Sequence, residues 1–212
     1  MKRLFASLAA LTLSTSPVLA DPEIEKWKTP HAMGCMLLRE CVEDTHRVYS
    51  ISDIEKHLTH PDYETIRKEA DAILVELNKL GVEVYLADDK YFTRGIAGSY
   101  HTRMNNFYLN NSYVDDPLQL MKTLRHESWH AAQDAMAGTI DNTFLAVILD
   151  SETIPNLYVF MVEISYPPGA RPWEQEAKWA WDTPNMTLDV LRKINNSGGK
   201  PWEVLEPTPK GS

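Results

Sequence analysis

Basic residues are in deficit in this 212-residue chain: 21 Lys and Arg face 30 Asp and Glu, a formal net charge of −9 at pH 7. That balance argues against nucleic acid and against anionic membrane surfaces as partners. Long apolar runs are absent after the first twenty residues, which excludes a spanning helix from the remainder. Internal repeats and long linkers are missing as well, so one compact domain is expected. Cysteine is scarce, with only Cys35 and Cys41. In an exported chain such a pair is most simply a disulfide. A spacing of six points the two side chains to different sides of a regular helix, so a bridge requires a turn or irregular backbone between them.

The one apolar run that does occur lies in MKRLFASLAALTLSTSPVLA. Lys2 and Arg3 make a basic start, Phe5 to Leu13 is apolar, and Val18-Leu19-Ala20 supplies small residues for cleavage. This has the form of a secretory signal peptide. Cleavage near Ala20 leaves 192 residues with 19 basic and 30 acidic side chains, a net charge of −11. The mature chain is then expected outside the cytoplasm, periplasmic or extracellular, without a stable membrane span.

What is present is a chemical motif. Pro117 to Gly138 reads PLQLMKTLRHESWHAAQDAMAG, with His126-Glu127-Ser128-Trp129-His130 at its centre. Leu118, Met121, Leu124 and Trp129 are apolar at roughly helical spacing, and the alanines that follow are strong helix formers. Asp115 or Asp116 can cap the start, Pro117 suits the first position, and Gly138 suits the stop. On a helix, positions four apart share a face. His126 and His130 can therefore direct two imidazole nitrogens at one metal ion. Glu127 lies near the open coordination position, where it can take a proton from a metal-activated water.

The stretch LRHESWHAAQD resembles the active-site helix of the zincin metallopeptidases. Gln133 and Met136 stand where the metzincin branch would carry a Gly and a third His, so the likeness is to the gluzincins. It is specific over about a dozen residues. It implies one Zn²⁺ per chain, a peptide or protein substrate, and a third ligand Glu from a later helix. It also implies that a strand just before the active-site helix forms the edge on which substrate backbone lies, here the Met104 to Tyr108 region.

No Asp or Glu of the active-site helix can reach the metal from the right side, so the third ligand comes from downstream. The candidates are Glu152, Glu163, Glu174 and Glu176. Glu176 is favoured: it follows a sharp break at Tyr166-Pro167-Pro168-Gly169, and WEQEA is similar to the Glu-Ala that carries this ligand in several gluzincin groups. Glu152 is next and Glu174 third. Asp134 is either a hydrogen-bond partner of a ligand imidazole or of a neighbouring group, or a helix-surface charge. His101, Tyr108, Tyr158 and Tyr166 are unranked candidates for an oxyanion donor.

The rest of the chain reads as α+β. A short helix capped by Ser52 or Asp53 precedes a clear amphipathic stripe from Tyr63 to Leu80, closed by Gly81. Val82 to Leu86 reads as a strand, and Ser99 to Leu109 as one or two more. Phe144 to Leu149 is an apolar run that periodicity cannot assign. Helices follow from Ser151 to Ile164, in WEQEAKWAW, and from Leu188 to Ile194. The expected organisation is a signal peptide over 1–20 and an N-terminal segment with the cysteine pair over 21–50. A zincin-like catalytic domain then fills 51–200, its small sheet packed on the active-site helix and followed by a mainly helical part, with an extended tail over 201–212. The expected function is an exported zinc metallopeptidase, a hydrolase, with Glu127 as general base. The alternatives are a non-catalytic zincin-fold accessory protein and a closed structural zinc domain with Cys35 as the suspect fourth ligand.

Overall fold

The computed structural model describes residues 27–57, 62–138 and 144–197. The expected signal peptide over 1–20 and the expected tail over 201–212 lie outside these residues. The described part is α+β, with seven α-helices and one four-stranded mixed sheet. Among the described residues no helix is long and apolar enough to cross a membrane.

Helix α1 (Pro30–Leu37) was not anticipated from sequence. Thr29 caps it by accepting from the Ala32 amide, and Pro30 starts it. Cys35 lies in this helix and Cys41 beyond it, and the two form a disulfide with Cα atoms 5.2 Å apart. The irregular backbone that their spacing demanded is Arg39, with a left-handed φ of 62°. Strand β1 (Thr45–Arg47) leads to the short helix α2 (Ile51–Glu55). Ser50, not Ser52 or Asp53, caps α2. Asp53 reaches back to accept from the Tyr49 and Ser50 amides.

Helix α3 (Glu64–Lys79) buries Ala70, Ile73, Leu74 and Leu77, the stripe expected from its spacing, and Gly81 leaves it with φ 76°. Strand β2 (Glu83–Ala87) follows. Strands β3 (Gly98–His101) and β4 (Asn106–Asn110) form an antiparallel pair joined by a 3₁₀ turn and by Asn105 in the left-handed region. The sheet order is β1-β2-β4-β3, with β2 and β4 parallel. All five residues of β4 are buried, as expected of a central strand sandwiched on both faces. Phe107 and Leu109 enter the main core with Val84 and Leu86 of β2. Tyr108 faces the opposite side, in a smaller cluster with Met36, Tyr91 and Phe92. The Met104 to Tyr108 region is therefore not the exposed edge, and β3 occupies that position.

Helix α4 (Pro117–Met136) is the motif helix. Asp116 accepts from the Leu118 and Gln119 amides, Pro117 opens the helix, and Gly138 follows its end with φ 92°. Helices α5 (Asn156–Ser165), α6 (Arg171–Asp182) and α7 (Met186–Asn196) complete the described part. Residues 144–149 form neither helix nor strand, for a reason that belongs to the site. Helix α6 runs antiparallel to α4: Gln133 bonds the Trp173 carbonyl, Trp129 bonds Glu176, and Lys122 pairs with Asp182. Leu188, Leu191 and Ile194 of α7 close the main core against α3 and α4.

Strand β3 lies directly on α4. A Cβ at Gly98 would come within 2.6 Å of Thr123 Cγ2, closer than real contacts allow. Gly98→Ala should therefore destabilise the fold by about 1–3 kcal/mol, as overpacking does. Adding Thr123→Ser, which deletes the clashing methyl and keeps the hydroxyl, should restore part of that loss. Urea unfolding midpoints of the two variants check this, and the absence of any rescue would locate the strain elsewhere.

Candidate metal centre

Helix α4 brings His126 and His130 together as the spacing of four requires. Their Nε2 atoms are 3.3 Å apart. Glu174, from the first turn of α6, places Oε2 3.4 Å from His126 Nε2 and Oε1 3.6 Å from His130 Nε2. One ligand atom from each of the three residues lies within 4.8 Å of the others. A tetrahedral ion with nitrogen and oxygen ligands at about 2.0–2.2 Å has ligand–ligand edges of about 3.3–3.6 Å. The His126–His130 separation fits such an edge, and each Glu174 oxygen lies at a similar distance from one of the two imidazoles. Glu174 Oε2 is buried and faces the His126 imidazole.

Glu174 thus stands where Glu176 was expected, and the Glu176 assignment is corrected. The two residues are about 200° apart around a helix at about 3.6 residues per turn, so they cannot serve one point. Glu176 is wholly buried and fully engaged elsewhere. Its Oε1 accepts from the Ile148 amide at 2.8 Å and the Leu149 amide at 2.6 Å. Its Oε2 accepts from Gln133 Nε2 at 2.8 Å and Trp129 Nε1 at 3.2 Å. The other expected candidates, Glu152 and Glu163, are exposed and outside the cluster. Cys35 is in its disulfide and is not a fourth ligand.

Gln133 links Glu176 to the His130 imidazole. Its Oε1 lies 2.8 Å from His130 Nδ1 and accepts the proton there, which leaves the Nε2 lone pair for an ion. Its Nε2 is held by Glu176 and by the Trp173 carbonyl. Burial works to lower the pKa of His130, but the bond to Glu174 and the charges of Glu127 and Glu174 outweigh it and raise it. Burial likewise works to raise Glu174, and its bonds to His126 and His130 hold it well below the usual carboxylate range.

No family model, curated protein sequence or solved structure matches this chain. The argument for its chemistry therefore rests on its own residues.

Glu127 lies beside the triangle. Its Oε2 accepts from the Tyr100 amide of β3 at 2.9 Å, and its Oε1 is 4.0 Å from His126 Nε2. The edge strand thereby orients the motif carboxylate. Two adjoining cavities meet at His126, Glu127 and Tyr166, one of about 210 Å³ and one of about 260 Å³. Of the four candidate oxyanion donors, Tyr166 lines both. Burial, then the charges of Glu174 and Glu127, push its phenol upward, so it is a neutral donor at pH 7. His101 instead accepts from the Met104 amide, and Tyr108 sits in the small cluster across the sheet. Tyr158 lies on α5 and lines neither cavity.

The sequence reading missed Gln133, the tether at Tyr100, and an anchor behind α4. Arg125 donates to Glu69 through Nε at 2.8 Å and an Nη at 2.7 Å, and Glu69 also accepts from the Asn185 amide ahead of α7. Removing one partner of such a largely buried pair costs about 3–5 kcal/mol. No local pattern marks these long-range partners.

Asp134 bonds a neighbouring group, not a ligand imidazole, and is not a surface charge. It is buried and accepts from the Tyr100 hydroxyl at 2.6 Å. Burial pushes its carboxyl up to about 6, although the tyrosine bond pulls the other way. A carboxyl raised on folding is proton-richer in the folded state. Its contribution to stability is therefore greatest in acid and is lost as pH rises from about 4 through about 6. Asp134→Asn should flatten that part of the profile. Unfolding free energies of both forms between pH 4 and 7 test this, and a constant difference between them would refute it.

Proposed function

We propose that this chain is an exported zinc-dependent metallopeptidase of gluzincin type, with His126, His130 and Glu174 as ligands and Glu127 as general base. The observation that carries the reading is the His-His-Glu triangle with a strand-tethered carboxylate at its side. Two imidazoles and one carboxylate suit Zn²⁺ with an open fourth position, the pattern of catalytic rather than closed structural sites. Zinc held there supplies Lewis acidity and lowers the pKa of a coordinated water towards about 7.

The chain's own groups account for the other requirements. Glu127 takes the proton of the attacking water and passes it to the leaving amine. Its bond to the Tyr100 amide holds the receiving oxygen's partner in place, so the carboxylate does not need to reorient during transfer. The Tyr166 hydroxyl, beside Glu127 and Glu174, donates to the oxyanion as it forms. The edge strand β3 accepts an extended substrate by strand addition along the cleft. Gln133 holds His130 in the tautomer that presents Nε2. The noncatalytic alternatives have less support: a pure binding protein has no use for Glu127 in the cleft, and Cys35 is not available to close a structural site.

Zinc content separates the two glutamates of α6. The wild type should hold about one zinc per chain, and Glu174→Ala should lose it. Glu176→Gln should retain it with affinity weakened about 10–100-fold, as loss of an outer-shell partner does. Elemental analysis and competitive chelator titration read both effects. Complete zinc loss in a folded Glu176→Gln chain alone would reverse the assignment.

Glu127→Gln tests the catalytic role. It should keep zinc bound and the fold intact while peptide hydrolysis falls by at least about 100-fold. Hydrolysis at the wild-type rate by the zinc-loaded variant would remove Glu127 from the mechanism.

A further inference from the structure

The two cavities at the metal centre differ in chemistry. The cavity of about 260 Å³ continues past His130 to Met33 and Leu145 and is largely apolar at that end. The cavity of about 210 Å³ runs the other way, over Gln119 and Thr123 of α4 and Lys178 and Trp181 of α6. Helical spacing explains its composition. Thr123 and Gln119 lie three and seven residues before His126, and Lys178 and Trp181 lie four and seven residues after Glu174. Because α4 and α6 are antiparallel, both helices extend the metal-facing surface in the same direction. Lys178 sits about one helical turn, about 6 Å along the axis, from the proposed ligand Glu174.

Lys178 is the unusual group in that cavity. Its ammonium carries three donors, yet among the described residues it makes no hydrogen bond and no ion pair. Its recorded contact is with the Trp181 ring, 3.4 Å from Nζ to the centroid. The neighbouring Lys122 also lies over that ring, at 4.1 Å, but is paired with Asp182 at 3.3 Å. Burial, followed by the charge of Lys122, lowers the pKa of Lys178 against the opposing charges of Asp182 and Glu174, which marks an ammonium short of hydration. In a chain with nine more acids than bases, an unpaired lysine beside the reacting centre is a selective feature.

We propose that Lys178 is a specificity residue that binds a carboxylate of the substrate, placed on the residue adjoining the scissile bond. The ammonium supplies the charge, and Gln119 and Thr123 line the approach. The opposite arm of the cleft accepts an apolar residue. The carboxylate can belong to an acidic side chain or to the free C-terminus of the substrate. This inference rests on the peptidase reading for its orientation, but the subsite can be tested without turnover.

The probe is N-hydroxysuccinamic acid, a hydroxamate that chelates zinc and carries a carboxylate two carbons away. Its primary amide, N-hydroxysuccinamide, is the comparison. Calorimetry on the zinc-loaded full chain should show the acid binding about tenfold tighter than the amide. Lys178→Met, which keeps the stem over Trp181, should abolish the difference with zinc content unchanged, and Lys178→Arg should retain it. Equal affinities in the wild type, or a preference that survives Lys178→Met, would overturn the proposal. The preference without cleavage of any peptide would leave the subsite standing and remove the peptidase reading. Where peptides are cut, two exchanges identify the source of the carboxylate. A fall in kcat/KM of about tenfold on Glu→Gln beside the scissile bond assigns it to a side chain. The same fall on amidating the C-terminus assigns it to the terminus. No fall on either exchange would overturn the proposal.

Discussion

A single buried carboxylate organises this molecule. Glu176 has no access to solvent, and a charge in that position is tolerable only when every acceptor site is used. Four N–H groups meet that requirement, from Trp129, Gln133, Ile148 and Leu149. The consequences spread from there. The amides of residues 148 and 149 are committed to a side chain, so the apolar run around them cannot join a sheet ladder or a helix. Trp129 and Gln133 are fixed on α4, one on each side of His130. Gln133 in turn sets the His130 tautomer. Truncating Glu176 would leave several buried donors unpaired at about 1–3 kcal/mol each, well above the worth of a surface ion pair.

The sheet contributes by what it places at its edge. With order β1-β2-β4-β3, the central strand β4 is buried on both faces and, among the described residues, β3 is left free on one side. The absence of a side chain at Gly98 lets β3 settle on Thr123 of α4. That close approach brings the Tyr100 amide to Glu127 and the Tyr100 hydroxyl to Asp134. One residue of the edge strand therefore ties down the motif glutamate with its backbone and the far end of the same helix with its ring. Positioning of the Glu127 carboxylate and the placement of β3 at the sheet edge have one structural cause.

The parts legible in the sequence were those set by local rules. The α4 boundaries follow from Asp116, Pro117 and Gly138, the α3 stripe from its apolar spacing, and the His126–His130 pairing from the helical repeat. What was not legible depended on distant partners. Glu174 and Glu176 are both plausible near a helix start. Only the rotation of α6 about its axis, set by packing on α4, decides which one meets the imidazoles. The same holds for β4, whose alternating residues all find a buried surface because helices cover one face and the Met36–Tyr91 cluster the other. Residues 144–149 are apolar enough for either regular structure, and the acceptor that diverts their amides lies about 28 positions later.

The electrostatics of the cluster follow from the same geometry. Two imidazole nitrogens at 3.3 Å and a carboxylate at 3.4 and 3.6 Å form a donor set that must be neutralised by a positive charge. A proton shared with the histidines can do this, which is why His130 is raised despite burial and Glu174 is held low. A metal ion held by His126, His130 and Glu174 would serve the same purpose, with Glu127 left outside the set, and its binding would displace protons from the cluster, so its affinity would fall in acid. The ligand positions are set by two packed helices and by Gln133, not by the charge they enclose. That arrangement lets the site keep its shape whichever positive charge occupies it.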